Sequence, residues 1–347
     1  FLRENVGMRK LLFGTGVSLV VAFSLGAQYR GGSSWLEPGG GDFVPASGEY
    51  ENAIGTLGVI NANGYMETNG HPFFMPLGTN GRACVSCHQP VNGMSVSAAG
   101  LLERWETTRG MDPVFAAFDG ANCPNLPQLD SASHSLLLNR GLFRVPLAWP
   151  PVNADGSAKQ VDFSIEVVHD PTGCNTSAEY GLKSEHPMVS VYRRPRPSAN
   201  LRYVISGGTA VVEKTGERAD VDPDTGKPSS MNFMADAREV SLISQARSAI
   251  MGHEQALRLP TREELEKIVA YESQVYMAQV HDGASGILAT PGAPVGLGPL
   301  AMRDGKAGVH GDNASDPVFR SFATWASSKD SVRASIARGA DLFMNRK

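Results

Sequence analysis

Apolar positions recur with helical spacing most clearly in the last third of the chain. Between Asp236 and Ala256, Leu242, Ala246, Ala249, Ile250 and His253 fall on one face of a predicted helix. Pro260-Thr261 opens a second helix, in which Thr261 and Glu264 fit a capping box. Leu265, Ile268, Val269, Glu272, Val275 and Tyr276 line one side of it. A final amphipathic pattern runs from Val332 to Phe343 and carries Ile336 and Ala340. Further upstream, Ala98 to Phe118 has room for one or two short helices, and the alternating stretch "VDFSIEVVHD" predicts a short strand. Gly, Ser and Pro mark residues 30–48 as an extended arm, and residues 50–80 read as loop. Residues 206–230 read as loop or hairpin, and 283–316 as a Gly/Pro-rich loop. The pattern predicts a mainly α protein with long ordered loops and a few short strands.

Composition agrees with that picture and narrows the partners. The 347 residues suffice for one large domain or two ordinary ones, and 41% apolar content is compatible with a packed core. The 38 glycines and 22 prolines exceed what a tight helical bundle needs. A net charge of -4, from 31 basic and 35 acidic residues, does not favour nucleic acid. Near the start, Met8-Arg9-Lys10 precedes an apolar run from Leu11 to Ala27 with small residues Ser24, Gly26 and Ala27. That is the layout of a secretory signal peptide, too short and too Gly-broken for a membrane anchor. Residues 1–7 then read as upstream translation, the mature chain as starting near Gln28, and the protein as periplasmic with no span after cleavage.

Export changes the reading of the four cysteines. Cys123 and Cys174, each beside turn formers, are expected to pair in an oxidising compartment; two free thiols are the alternative. Cys84-Val85-Ser86-Cys87-His88 has the c-type haem attachment pattern. In such a site Cys84 and Cys87 are thioether anchors and His88 is the proximal iron ligand. Zinc would require a second pair of ligands that the chain lacks. Thiol redox chemistry would require a strand-then-helix context, whereas "LGTNGRAC" reads as loop. The far side of the iron stays open: His71, His134, His169, His186 and His253 are candidates, as are Met94, Met188, Met234 and Met251. His253 stands out because it shares an apolar helix face and precedes Glu254.

Three stretches, in order, resemble the bacterial di-haem cytochrome c peroxidases and their MauG-like relatives. They are "ACVSCHQP", then "VYRRPRPSANLRYV" followed by "FMADAREVSLISQA", then "IARGADLF" at 336–343. Asp236, Arg238, Leu242, Gln245 and Ala246 match the spacing of the family's second segment. The resemblance implies a cytochrome c-like haem domain over 51–282, with a long insert at about 101–185 that accommodates the Cys123–Cys174 bridge. An arm at 28–50 precedes it. A linker at 283–331 and the start of a second haem domain at 332–347, cut before its own motif, follow. It implies a haem-dependent oxidoreductase with covalent haem c, a second haem in the full-length protein, and peroxide chemistry assisted by Gln245 and Glu254. The expected redox partner is a small cytochrome or a cupredoxin. Ala235 stands where the family has a bridging aromatic, which keeps a purely electron-transferring cytochrome as the alternative.

Overall fold

The computed structural model describes residues 35–152, 156–205, 233–236, 238–288, 297–305 and 320–345. The predicted signal segment and the 206–230 loop lie outside the described residues. The strands are β1 (Phe43–Val44), β2 (Ser47–Asn52), β3 (Gly55–Asn61), β4 (Met66–Glu67), β5 (Phe143–Ala148), β6 (Met188–Arg193), β7 (Val275–Asp282) and β8 (Gly286–Ile287). The helices are α1 (Ala98–Thr108), α2 (Ala117–Gly120), α3 (Ser135–Arg140), α4 (Leu201–Ile205), α5 (Leu242–His253), α6 (Arg262–Ser273), α7 (Pro299–Asp304) and α8 (Ser331–Asn345). Short 3-10 turns add to them, among them Cys84–Ser86 and Pro113–Phe115.

The expectation of a mainly α, cytochrome c-like fold is overturned. Of the described residues 34% are helical and 18% are in strands, and those strands form several antiparallel sheets. The largest has the order β2-β3-β7-β8. Its first two strands come from residues expected to be arm and loop. There "SGEYENAIGTLGVIN" makes a hairpin around Ala53-Ile54, with Asn52 opposite Gly55 and Ser47 opposite Ile60. Its third strand begins at Val275, so Val275 and Tyr276, expected on a helix face, are strand residues buried against the core. Helix α6 stops at Ser273 because β3 offers a long edge on which Tyr276, Met277 and Ala278 pair with Ile60, Val59 and Gly58.

The "VDFSIEVVHD" stretch is not a strand; Phe163 and Val168 are exposed along it. It stays outside the neighbouring two-stranded sheet, in which β5 and β6 pair with each other from Phe143–Arg193 to Ala148–Met188. The expected 283–316 loop contains β8 and α7.

Local chemistry explains the helices that bear on the site. Ser241 caps α5 by accepting from the Ser244 N–H, and Thr261 caps α6 by accepting from the Glu264 N–H. Ile243, Ala246 and Ile250 on α5 and Leu265, Ile268 and Tyr271 on α6 are buried in one core with Phe73, Phe74, Val85 and Met94. The Phe73, Phe74 and Tyr271 rings meet edge to face at 4.7 to 5.1 Å. A second core gathers Trp35, Leu101, Val114, Phe115, Leu137 and Phe143 under α1, α3 and β5. Cys123 and Cys174, joined by a disulfide with Cα atoms 5.3 Å apart, tie this insert across 51 residues. No helix among the described residues is long and apolar enough to cross a membrane.

Candidate functional site

The cysteine turn is built from its own backbone. The Cys87 and His88 N–H groups both donate to the Cys84 carbonyl, and the Ser86 hydroxyl accepts from the Ala83 N–H. Val85, fully buried, donates its N–H to Phe73 O at 3.1 Å and fixes the turn to the aromatic cluster. Gly78 lets the preceding loop pass against the end of α5, because a Cβ there would lie 1.7 Å from Glu254 O.

The turn lines one wall of an apolar-sided cavity of about 400 Å³. That volume falls within the range of about 300–1,000 Å³ usual for cofactor sites. Cys84, Cys87, His88, Gln245, His253 and Glu254 all line this cavity. Met234, Ala235 and Arg238 also line it, and beside them Asp236 receives Arg193 at 2.9 Å and Arg238 at 2.7 Å. Burial pushes the Asp236 carboxyl up, but the two guanidiniums outweigh it and hold the group below the usual range.

Both histidines in the cavity are held by one ring nitrogen. His88 Nδ1–H donates to Met94 O at 2.9 Å, and His253 Nδ1–H donates to Asp119 Oδ2 at 2.7 Å. Neither Nε2 has a hydrogen bond among the described residues. An imidazole with Nδ1 engaged and Nε2 left over is oriented for ligation. Burial pushes His88 below its ordinary value, and nearby His253 adds to that, so the neutral, ligand-competent form is favoured. Met94 takes φ 59°, unusual for a non-glycine residue, and this conformation aims its carbonyl at His88.

Asp119 carries more than the histidine. It also pairs with Arg82, and both side chains are 1% exposed. Arg82 in turn donates from Nε to Pro113 O and from Nη2 to Val114 O, each at 2.7 Å, joining the cysteine turn to the second core. Burial acts against both charges, but their mutual attraction raises Arg82 and lowers Asp119.

The thiols are the opposite of reactive ones. Burial pushes Cys84 well above its ordinary value, with the Glu254 and Glu272 carboxylates adding to it. Burial likewise pushes Cys87 up to about 12, with Arg82 opposing. Thiolate nucleophiles and thiolate ligands need depressed values. Among the described residues, no group of three or more His, Cys, Asp or Glu side chains is arranged around a bare metal ion.

Of the five histidines considered for the far side of an iron, only His253 lines the cavity. His71 packs against Phe74 and Tyr271, and its Nδ1 accepts from the Phe73 N–H. His134 is fully buried between the carbonyls of Gly120 and Gln128. His169 and His186 are exposed. Among the methionines, Met234 reaches the cavity mouth, Met94 and Met251 pack in the first core, and Met188 lies in β6.

Sequence reasoning missed Arg82, Asp119, Ser198 and Glu272. Glu272 is 4% exposed and lines the cavity; Ser198 donates its hydroxyl to Glu272 Oε1 at 3.0 Å, while Oε2 has no partner. Its place on the apolar face of α6 was the available signal, since a carboxylate there is costly unless it has a task. Comparison of the chain with protein-family models, with curated proteins and with solved structures gives no match.

Proposed function

We propose that this chain is a c-type cytochrome, the haem-carrying part of an exported oxidoreductase that passes electrons through covalently bound haem. The observation that carries the reading is the convergence of Cys84, Cys87 and the His88 ring on one cavity. His88 leaves only Nε2 for a ligand. The two protonated, half-buried thiols that line the cavity suit thioether anchorage better than zinc or thiol exchange. Arg194 and Arg196, whose guanidiniums donate to the carbonyls of Arg140 and Met234, also line the cavity and suit the two acidic side chains of a haem. When bound, a haem supplies reversible one-electron chemistry; the chain's own residues orient His88, exclude water and set the local charge.

His253 favours a second reading, a non-enzymatic electron carrier. His253 lines the same cavity with its Nε2 unbonded among the described residues, so it would help His88 hold the iron, an arrangement that would favour electron transfer over peroxide chemistry. The peroxidase-like reading instead assigns proton transfer to Glu254, with Gln245 as the polar residue of the peroxide site. Glu254 is buried at the end of α5, accepts from the Leu77 N–H at 3.0 Å, and is pushed up by burial to about 7. That value suits a general acid–base.

The test is to produce the chain with its leader together with a haem-attachment system and run a haem-stained denaturing gel. A stained band that is lost in Cys84→Ala and Cys87→Ala is expected; a colourless wild-type band refutes the proposal. Visible spectra then divide the two readings. Purely low-spin iron that turns high-spin in His253→Ala supports the carrier. A high-spin wild-type spectrum that shifts with peroxide supports the peroxidase-like enzyme.

A further inference from the structure

Glu272 is a buried carboxyl group in the cavity wall, with one oxygen satisfied and the other buried without a hydrogen-bond partner among the described residues. It is joined to the proximal side of the site by a short relay. Ser198 gives its hydroxyl to Glu272 Oε1 at 3.0 Å and its backbone N–H to Met94 O at 3.0 Å. The same Met94 carbonyl accepts from His88 Nδ1 at 2.9 Å. Glu272 is thereby joined to His88 through a chain of dipoles, and its charge acts directly on the Cys84 thiol.

From this geometry we propose that Glu272 takes up one proton when the site held by His88 is reduced and releases it on oxidation. The inference rests on the haem reading above. The balance is simple. A one-electron donor, such as a small redox protein, delivers one electron and lowers the charge at the iron by one unit. One solvent proton forms one O–H bond on the free Glu272 oxygen, and no other bond forms or breaks. A buried unit charge is costly, and pairing electron with proton avoids it.

Glu254 is the other raised carboxyl in the cavity, and its two oxygens accept from the Leu77 N–H and the Cys84 thiol. From the cysteine turn Glu272 meets the Cys84 thiol, and from its own helix the Tyr271 phenol. From the end of α5, His253 and Glu254 share the cavity. The cations around the mouth are engaged elsewhere: Arg193 and Arg238 with Asp236, Arg194 with Arg140 O, and Arg196 with Met234 O. Arg82 is matched by Asp119. Burial pushes the Glu272 carboxyl up to about 7, with the Ser198 hydrogen bond opposing, which puts its titration in the physiological range.

The experiment is a potentiometric titration of the haem-loaded chain across neutral pH, with covalent loading first verified by the haem-stained gel. One proton per electron changes the reduction equilibrium tenfold per pH unit, about 59 mV. The wild type is expected to show a falling segment approaching that slope around neutrality. Glu272→Gln, a neutral isostere, should flatten this segment and hold the potential near its low-pH value. Ser198→Ala should keep the segment but move it to higher pH, since it removes a bond that favours the ionised form. This second variant carries the test if Glu272→Gln fails to fold. Wild-type behaviour in Glu272→Gln, or loss of the segment in Glu254→Gln with its retention in Glu272→Gln, overturns the inference. A chain without covalent haem overturns it together with the proposed function, and the gel separates that failure from the others.

Discussion

Removing Asp119 should damage this molecule more than removing any carboxylate at its surface. The Asp119 side chain is 1% exposed and serves two groups at once, Arg82 and His253. In Asp119→Ala, Arg82 keeps its bonds to Pro113 O and Val114 O but loses the only carboxylate it pairs with among the described residues. An uncompensated buried charge of this kind costs about 3–5 kcal/mol. Against a total stability of about 5–15 kcal/mol, that is a large share. Asp119→Asn retains an acceptor and should cost less, about 2 kcal/mol, the scale of a hydrogen bond to a charged group. Urea unfolding measures both, read as a shift in midpoint at constant slope. The pH dependence has a definite sign. Arg82 and His253 hold Asp119 below its ordinary value. Its contribution is therefore complete at neutral pH and is lost as pH falls from about 4 through the depressed folded value. A loss under about 1 kcal/mol in Asp119→Ala, the scale of an exposed pair, would refute the reasoning.

Two further outcomes are expected. Reducing the Cys123–Cys174 bridge, which closes a 51-residue separation, should lower stability by about 4 kcal/mol if chain entropy dominates; an unchanged thermal midpoint in a Cys123→Ser, Cys174→Ser double variant would count against this. Glu272 binds its proton more tightly folded than unfolded, so its contribution is present below pH 4.5 and lost as pH rises through about 7; the loss is about 3 kcal/mol and should disappear from the stability–pH curve of Glu272→Gln.

The cavity-lining chemistry was more legible in the sequence than the fold around it. Cys84, Cys87 and His88 are covalently close, so spacing alone shows their relation. Gln245, His253 and Glu254 ride on an amphipathic helix whose period is visible, and they too reach the cavity. The sheet was hidden because its signals are weak and distant. Residues 47–61 carry Gly and Asn at positions that local propensity assigns to loop, and only β7, far along the chain, supplies the partner edge. The same distance misled the reading of Val275 and Tyr276, whose apolar character continues the α6 stripe while their backbone joins the sheet. "VDFSIEVVHD" has the alternation of a strand, but its apolar side chains Phe163 and Val168 stay exposed and no sheet takes it up. Asp119 and Arg82 find each other across the fold, which no spacing rule reveals.

The β3–β7 pairing also sets an order of events. Residues joined across this sheet, such as Asn52 and Gln279, are 227 positions apart, so the sheet closes only after nearly the whole described chain exists. Contacts of such range form late and slowly. The cysteine turn emerges from synthesis long before that, when nothing has yet buried its thiols. Burial is what later drives Cys84 and Cys87 into their inert, protonated state. The turn is therefore open to covalent chemistry on every side before β7 arrives, and afterwards from the cavity that Cys84 and Cys87 still line.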